Sequence, residues 1–150
     1  MYFGQFFHTI DAKGRVSIPA KWRDGLLGDS RLVLAPYTVR GEHCVELYPF
    51  AEWEKLLARF ATLPRFGAST SKFEMGFLAR SHPCEIDQPG RILVPPPLRQ
   101  HAGLEKDVVF AGVNTTFRLM ERERFEKVMS EHDKEASLDR NHAIYEDVGL

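Results

Sequence analysis

The strongest constraint in the sequence is an internal duplication. TIDAKGRVSIP, Thr9 to Pro19, returns 76 residues later as EIDQPGRILVP, Glu85 to Pro95. Ile10/Ile86, Asp11/Asp87, Gly14/Gly90, Arg15/Arg91 and Pro19/Pro95 are identical, five positions of the ten from Ile10 to Pro19. Composition alone gives roughly 5–7% identity per position. The register persists to Arg23/Arg99 and Val33/Val109. After a loop four residues shorter in the second copy, an offset of 72 aligns Leu47/Leu119, Trp53/Phe125, Glu54/Glu126 and Lys55/Lys127. Solenoids need at least three short repeats, so two copies of about 45 residues imply one pseudo-symmetric body.

Each copy opens with a strand that ends at Asp-x-x-Gly. Asp can bond its own following backbone and Gly tolerates positive φ, so this is a tight turn. Arg15 to Ile18 alternates polar and apolar, the mark of a half-buried strand. Pro19 suits a first helical turn, which predicts a short helix through PAKWRDGLL, closed near Gly28. The strands RLVLAPYT and CVELYPF follow, joined around Arg40-Gly41. Copy 2 repeats the order with RILVP, PPPLRQHAGL, DVVFAGV and FRLME, turning at Asn114-Thr115. Phe50, Trp53, Leu56, Leu57 and Phe60 share one face of a helix, and Phe125, Val128, Met129 and His132 do so more weakly. TLPRFGAST reads as a connector and SKFEMGFLARS as a short helix with Phe73 and Phe77 on one side. Ser137 to Leu150 is polar and reads as loosely ordered. One copy alone has little apolar surface to close on itself. The expected class is therefore α+β, a single β-barrel made by both copies with short helices around it.

At 150 residues and 43% apolar composition the chain can bury a core. No apolar run approaches the ~20 residues of a membrane span. MYFGQFFHTI has no basic n-region and reads as a strand, not a signal peptide. Two cysteines, Cys44 and Cys84, form no CxxC and no disulfide framework, which suggests a reduced, cytosolic chain. The formal charge of −1 conceals a basic head, +3 over residues 1–23, and an acidic end, −4 over residues 121–150.

Asp11 and Asp87, one per copy, invite comparison with an aspartate dyad that shares a proton. Here Asp-Ala-Lys-Gly and Asp-Gln-Pro-Gly replace the Asp-Thr-Gly or Asp-Ser-Gly such chemistry uses. An arginine four residues on would keep each carboxylate ionised, so Asp11, Gly14, Asp87 and Gly90 are read as turn builders. His43-Cys44 and His82-x-Cys84 fall short of a zinc set, since adjacent strand residues face opposite ways and two ligands are too few. No P-loop, dinucleotide fingerprint or Gly-x-Ser-x-Gly turn occurs. No catalytic residue, metal site or cofactor is expected. The basic residues carry more: Lys13 in the turn, Arg15 on the next strand, Lys21 and Arg23 on the short helix. Packing both copies together would gather their turns and helices at one end, a cationic cluster suited to phosphates and guanine edges. Copy 2 offers Arg91 and Arg99, with Pro89 and Pro97 in place of Lys13 and Lys21, so copy 1 is expected to carry most of the binding. A plain solvated charged face is the alternative.

TIDAKGRVSIPAKWRDGL and EIDQPGRILVPPPLRQHAGL, 76 residues apart, closely resemble the MraZ family, double-repeat members of the SpoVT-AbrB swapped-hairpin proteins. The resemblance spans nearly the whole chain, including CVELYPFAEWEKL. It implies an AbrB-like swapped-hairpin β-barrel, with repeats at 5–52 and 81–124, a helical connector at 53–80, and a C-terminal helix with an acidic tail at 125–150. It implies a repressor of the division and cell-wall gene cluster, binding direct DNA repeats near its own promoter as a ring-shaped homo-oligomer, in the cytoplasm at the nucleoid. The family's Asp-x-Lys-Gly-Arg maps onto Asp11, Lys13, Gly14 and Arg15, with Arg15 the foremost candidate for DNA contact; the reading of the basic residues adds Lys13 as central and Lys21, Arg23 and Arg91 as supporting. Neither a membrane nor a small-molecule substrate is implied as partner. The competing reading is an antitoxin-like protein-interaction module whose DNA binding is secondary.

Overall fold

A computed structural model describes residues 1–138 and 147–149. Among the described residues eight strands and five helices follow one another: β1 (Gln5–Thr9), β2 (Arg15–Ser17), α1 (Ala20–Arg23), β3 (Arg31–Val39), β4 (Glu42–Pro49), α2 (Phe50–Phe60), α3 (Ala68–Gly76), β5 (His82–Glu85), β6 (Arg91–Leu93), α4 (Pro96–Ala102), β7 (Asp107–Gly112), β8 (Phe117–Glu121) and α5 (Arg122–Leu138). Short 3-10 turns at Asp24–Leu26 and Leu78–Arg80 extend α1 and precede β5.

The strands pair across the duplication. An antiparallel sheet runs β1-β7-β8-β4-β3-β5, and β2 pairs only with β6 in a second, two-stranded sheet. Each copy thus lends its first two strands to the other. The register obeys the sequence offset: Thr9 pairs with Asp107, and their equivalents Glu85 and Arg31 pair with each other. Val16 lies opposite its own equivalent Ile92, and Glu46 opposite its own equivalent Arg118. A pseudo-two-fold axis therefore passes through both sheets.

The architecture is α+β as expected, but no closed barrel forms among the described residues. The larger sheet keeps two edges, β1 and β5. The physical reason lies in β2 and β6: at three residues each they satisfy one another in a ribbon and stand apart from the larger sheet. Beyond the ribbon, each hairpin is tied at its neck, where the Asp11 N–H donates to the Arg15 carbonyl and the Asp87 N–H to the Arg91 carbonyl.

The main core fills the space between the ribbon, α1, α4 and one face of the larger sheet, with Val16, Ile18, Trp22, Leu34, Leu47, Ile92, Val94, Leu98, Phe110 and Phe117 buried. Trp22 centres it, 5.0 Å from both Phe6 and Phe117. A smaller cluster of Cys44, Val109, Met120, Phe125 and Val128 joins α5 to the sheet. Buried apolar side chains contribute about 1.5–3 kcal/mol each, so the sides of the ribbon and sheet that meet at the main core hold the two copies together.

Three local expectations shift. The N-terminal segment is not one strand: Gly4 takes φ +90° and Tyr2 tucks into the core, bridging Asn114. The connector ends early, because α3 begins at Ala68. The helix PAKWRDGLL is a four-residue α1 followed by a 3-10 turn. The stretch from Ser137 lies mostly outside the described residues.

Candidate nucleic-acid interface

The ribbon holds its inner residues, Val16 and Ile92, in the core. Strand alternation turns Arg15, Ser17, Arg91 and Leu93 to the opposite side. Arg15 pairs with Leu93 and Ser17 with Arg91, so the two arginines lie diagonally across one outer face, about 7–8 Å between backbones in such a pair. Leu93 is 56% exposed between them.

Each arginine is aimed by its own turn. Asp11 Oδ1 accepts from the backbone N–H groups of Lys13 and Arg15 at 2.9 Å, and Asp11 Oδ2 accepts from Arg15 Nε at 2.8 Å. Asp87 repeats this, taking the Arg91 N–H at 2.7 Å and Arg91 Nε at 3.2 Å. Only Nε is engaged, and the terminal guanidinium nitrogens bond nothing among the described residues. The backbone N–H of Arg15 is the largest influence holding the Asp11 carboxyl below its ordinary pKa, and that of Arg91 does the same for Asp87. Both aspartates are therefore charged clamps, and neither faces the other across a shared proton.

Gly14 and Gly90 have φ of +90° and +89°, accessible without strain only to glycine. They are also crowded. A Cβ on Gly14 would lie 2.6 Å from the Val94 carbonyl oxygen and 2.7 Å from Arg99 Nε, and one on Gly90 would lie 2.6 Å from Arg23 Nε. Arg23 and Arg99, equivalent in the duplication, thus each lie on the turn of the opposite copy. Arg23 Nε donates to the Ile18 carbonyl at 2.8 Å, and Arg99 Nη1 to that of Ala12 at 3.3 Å.

This geometry redistributes the expected cations. Because β2 and β6 are antiparallel, the two turns lie at opposite ends of the ribbon instead of side by side. The Ile18 N–H donates to the Gly90 carbonyl and the Val94 N–H to that of Gly14, so α1 adjoins the turn of copy 2 and α4 that of copy 1. Exposed Lys13 and half-buried Arg15 share one end with Arg99; exposed Lys21 and half-buried Arg91 share the other with Arg23. Arg23 serves as turn support more than as a free cation. The second end is not bare, as Pro89 and Pro97 alone suggest. Sequence reasoning missed Leu93, although the alternation of Arg91-Ile92-Leu93-Val94 places it outward, and it missed the packing of Arg99, which no local pattern encodes.

Among the described residues no group of three or more His, Cys, Asp or Glu side chains could hold a metal ion. No helix among them is long and apolar enough to cross a membrane.

Comparison with known proteins decides the family. A sequence model described as "MraZ protein, putative antitoxin-like" matches residues 1–75 and 77–144. The chain belongs to the MraZ family. Among curated MraZ relatives, one from Thermoanaerobacter pseudethanolicus is 46% identical over 133 residues, 89% of this chain and 90% of the relative. One from Lachnoclostridium phytofermentans is 40% identical over 126 residues, 84% and 85% of the two chains. A third, from Anaeromyxobacter dehalogenans, is 39% identical over 132 residues, 87% and 90%. Each of the three is named "Transcriptional regulator MraZ".

Proposed function

We propose that this MraZ-family chain is a sequence-specific DNA-binding transcriptional regulator that reads DNA with the β2–β6 ribbon. One observation carries the reading: Arg15 and Arg91 stand diagonally on an outward face, each clamped through Nε with its terminal nitrogens unengaged among the described residues. The major groove admits a two-stranded ribbon, and a guanidinium presenting two parallel N–H groups matches guanine O6 and N7. Leu93 between them offers apolar contact to a thymine methyl, while Lys13 and Lys21 serve phosphates at the two ends. Arg23 and Arg99 position the turns.

The strand exchange supports an AbrB-like swapped-hairpin arrangement, with repeats at 5–52 and 81–124. A single ribbon of three-residue strands makes few contacts, so the protein gains affinity as a ring-shaped homo-oligomer that engages direct repeats near its own promoter together. The α2–α3 hairpin leaves Leu63 and Phe66 57% and 89% exposed, an apolar rim that a second copy would cover. The regulated genes are the division and cell-wall cluster, the sign is repression, and the site of action is the nucleoid in the cytoplasm.

The test is fluorescence anisotropy on a fragment of the chain's own upstream DNA across a salt series. Affinity should fall linearly in log–log form with salt. Arg15→Ala should weaken binding roughly 10–100-fold, the loss of one bidentate base contact at about 1–3 kcal/mol, with unchanged thermal unfolding. Equal affinity of Arg15→Ala and the parent chain would sink the assignment.

A further inference from the structure

A cleft of about 310 Å³ lies between α4, β3, the start of β5 and the 3-10 turn before it. Arg80, His82 and His101 line it with Pro36, Ala79, Pro97 and Leu98, and no acidic side chain does. The Arg80 side chain is exposed and makes no hydrogen bond or ion pair among the described residues. A guanidinium beside an apolar hollow, with two imidazoles in the lining and no acidic side chain among them, favours an anion.

The surroundings of His101 sharpen this. Its Nε2 lies 3.2 Å from the Tyr37 carbonyl oxygen, which fixes the proton on that nitrogen. Its ring is 4.6 Å from that of His43, itself bonded to Thr38 Oγ1. Arg124 Nη1 donates to the carbonyls of both His43 and His101. Burial lowers the His101 pKa; the Tyr37 carbonyl opposes that, His43 and Arg80 add to it, and the Cys44 carbonyl opposes it again. Glu42, on the strand that carries His43, is taken by Lys127 at 2.9 Å, with Arg124 at 4.0 Å. Burial first, with the Arg80 charge adding to it, therefore favours the neutral form of His101.

We propose that this cleft binds a small organic anion, one oxyanion group on a compact apolar body, and that its occupancy strengthens DNA binding through α4. Arg80 pairs with the oxyanion, His82 donates to it, His101, whose Nε2–H is held by the Tyr37 carbonyl, adds positive charge when protonated, and Pro36, Pro97 and Leu98 hold the apolar part. The coupling rests on the DNA-binding reading above. It runs through one short helix, because α4 carries His101 at the cleft and, two residues earlier, Arg99 against the Gly14 turn. Bracing α4 braces the turn that aims Arg15. A bound anion also favours protonated His101, so binding tightens as pH falls through the imidazole range.

Benzoate, which stays singly charged from pH 8 to 6, and phenyl phosphate are the probes, titrated against matched chloride while imidazole NMR signals are followed. Both should shift the His82 and His101 signals saturably. Arg80→Ala should raise the apparent Kd at least tenfold and Arg15→Ala should leave it unchanged. His signals that stay still, or an Arg80→Ala titration that overlays the parent, overturn the site. In the second arm, saturating benzoate should tighten promoter binding at least threefold in the parent and not in Arg80→Ala. An equal effect in both, or none in the parent, overturns the coupling. A parent chain that binds no DNA with or without benzoate overturns the DNA-binding reading, while the NMR arm still decides the cleft.

Discussion

Glu46 and Arg118 are the same position in the two copies, yet one is acidic and the other basic, and they face each other on the pseudo-two-fold axis. Arg118 Nε donates to Glu46 Oε2 and Thr116 Oγ1 to Glu46 Oε1, both at 2.6 Å. The side chains are 5% exposed for Glu46 and 25% for Arg118. Removing one member of a buried pair costs about 3–5 kcal/mol, because the other is left uncompensated. Arg118→Ala strands the more buried charge with a single hydroxyl, so it should cost about 4 kcal/mol. Glu46→Ala strands a group with some access to water and the Tyr37 ring 4.5 Å away, and should cost about 3 kcal/mol. The decisive variant is the exchange Glu46→Arg with Arg118→Glu. Pseudo-symmetry lets the reversed pair form, but the carboxylate introduced at position 118 would find Cys44, the equivalent of Thr116, in place of a hydroxyl. The exchange should therefore recover all but about 1.5–3 kcal/mol, the worth of one hydrogen bond to a charge. Urea unfolding monitored by tryptophan fluorescence measures these three and the single reversals Glu46→Arg and Arg118→Glu. Single losses below about 1 kcal/mol, or an exchange no better than the sum of its two single reversals, would refute the axial pairing.

Gly14→Ala must adopt φ near +90° with its Cβ against Val94 and Arg99, and should lose on the order of 2 kcal/mol or more, read as a lowered thermal midpoint. The Asp11 and Asp87 carboxyls titrate below their usual 3.8, so their stabilisation is complete above that value and is lost as pH falls through the folded pKa. A thermal-midpoint series from pH 7 to 3 should show an acid limb that Asp11→Asn flattens. His101 behaves oppositely to a paired histidine: its pKa is lowered, so stability is full above the usual 6.5 and declines as pH drops below it, an effect His101→Gln should remove. Burial pushes the thiols of Cys44 and Cys84 up to about 12, so a thiol reagent at pH 8 should label neither in the native chain and both in urea.

What was legible in the sequence was mostly local. The Asp-x-x-Gly turns, α2 over Phe50 to Phe60 and the β3–β4 turn at Arg40-Gly41 follow from φ preferences and periodicity, which neighbouring residues determine. The 76-residue offset also carried the pseudo-symmetry, because equivalent residues meet equivalent partners. Which strand pairs with which was not legible. Arg15-Val16-Ser17 alternates in the same way whether its neighbour is β1 or β6, and only the long-range packing of Val16 on Ile92 selects the latter. The same gap hid the two ends of the ribbon. Gathering Lys13, Lys21 and Arg23 from one copy was sound arithmetic along the chain, but α1 packs beside the turn of the other copy, so the tally by copy differs from the tally by end. Arg23 reads as a surface cation until Gly90 lies under its guanidinium.

The turns at the two ends of the ribbon bear on direction. A reader with true two-fold symmetry looks the same from either end, so it suits palindromes and cannot tell one heading along a duplex from the reverse. Two copies in one chain are free of that obligation: Lys13 stands where copy 2 has Pro89, while Asp, Gly and Arg are common to both turns. The ribbon thereby acquired an arrow. On the DNA-binding reading proposed above, a ribbon with an arrow suits sites that all point the same way, as successive direct repeats do.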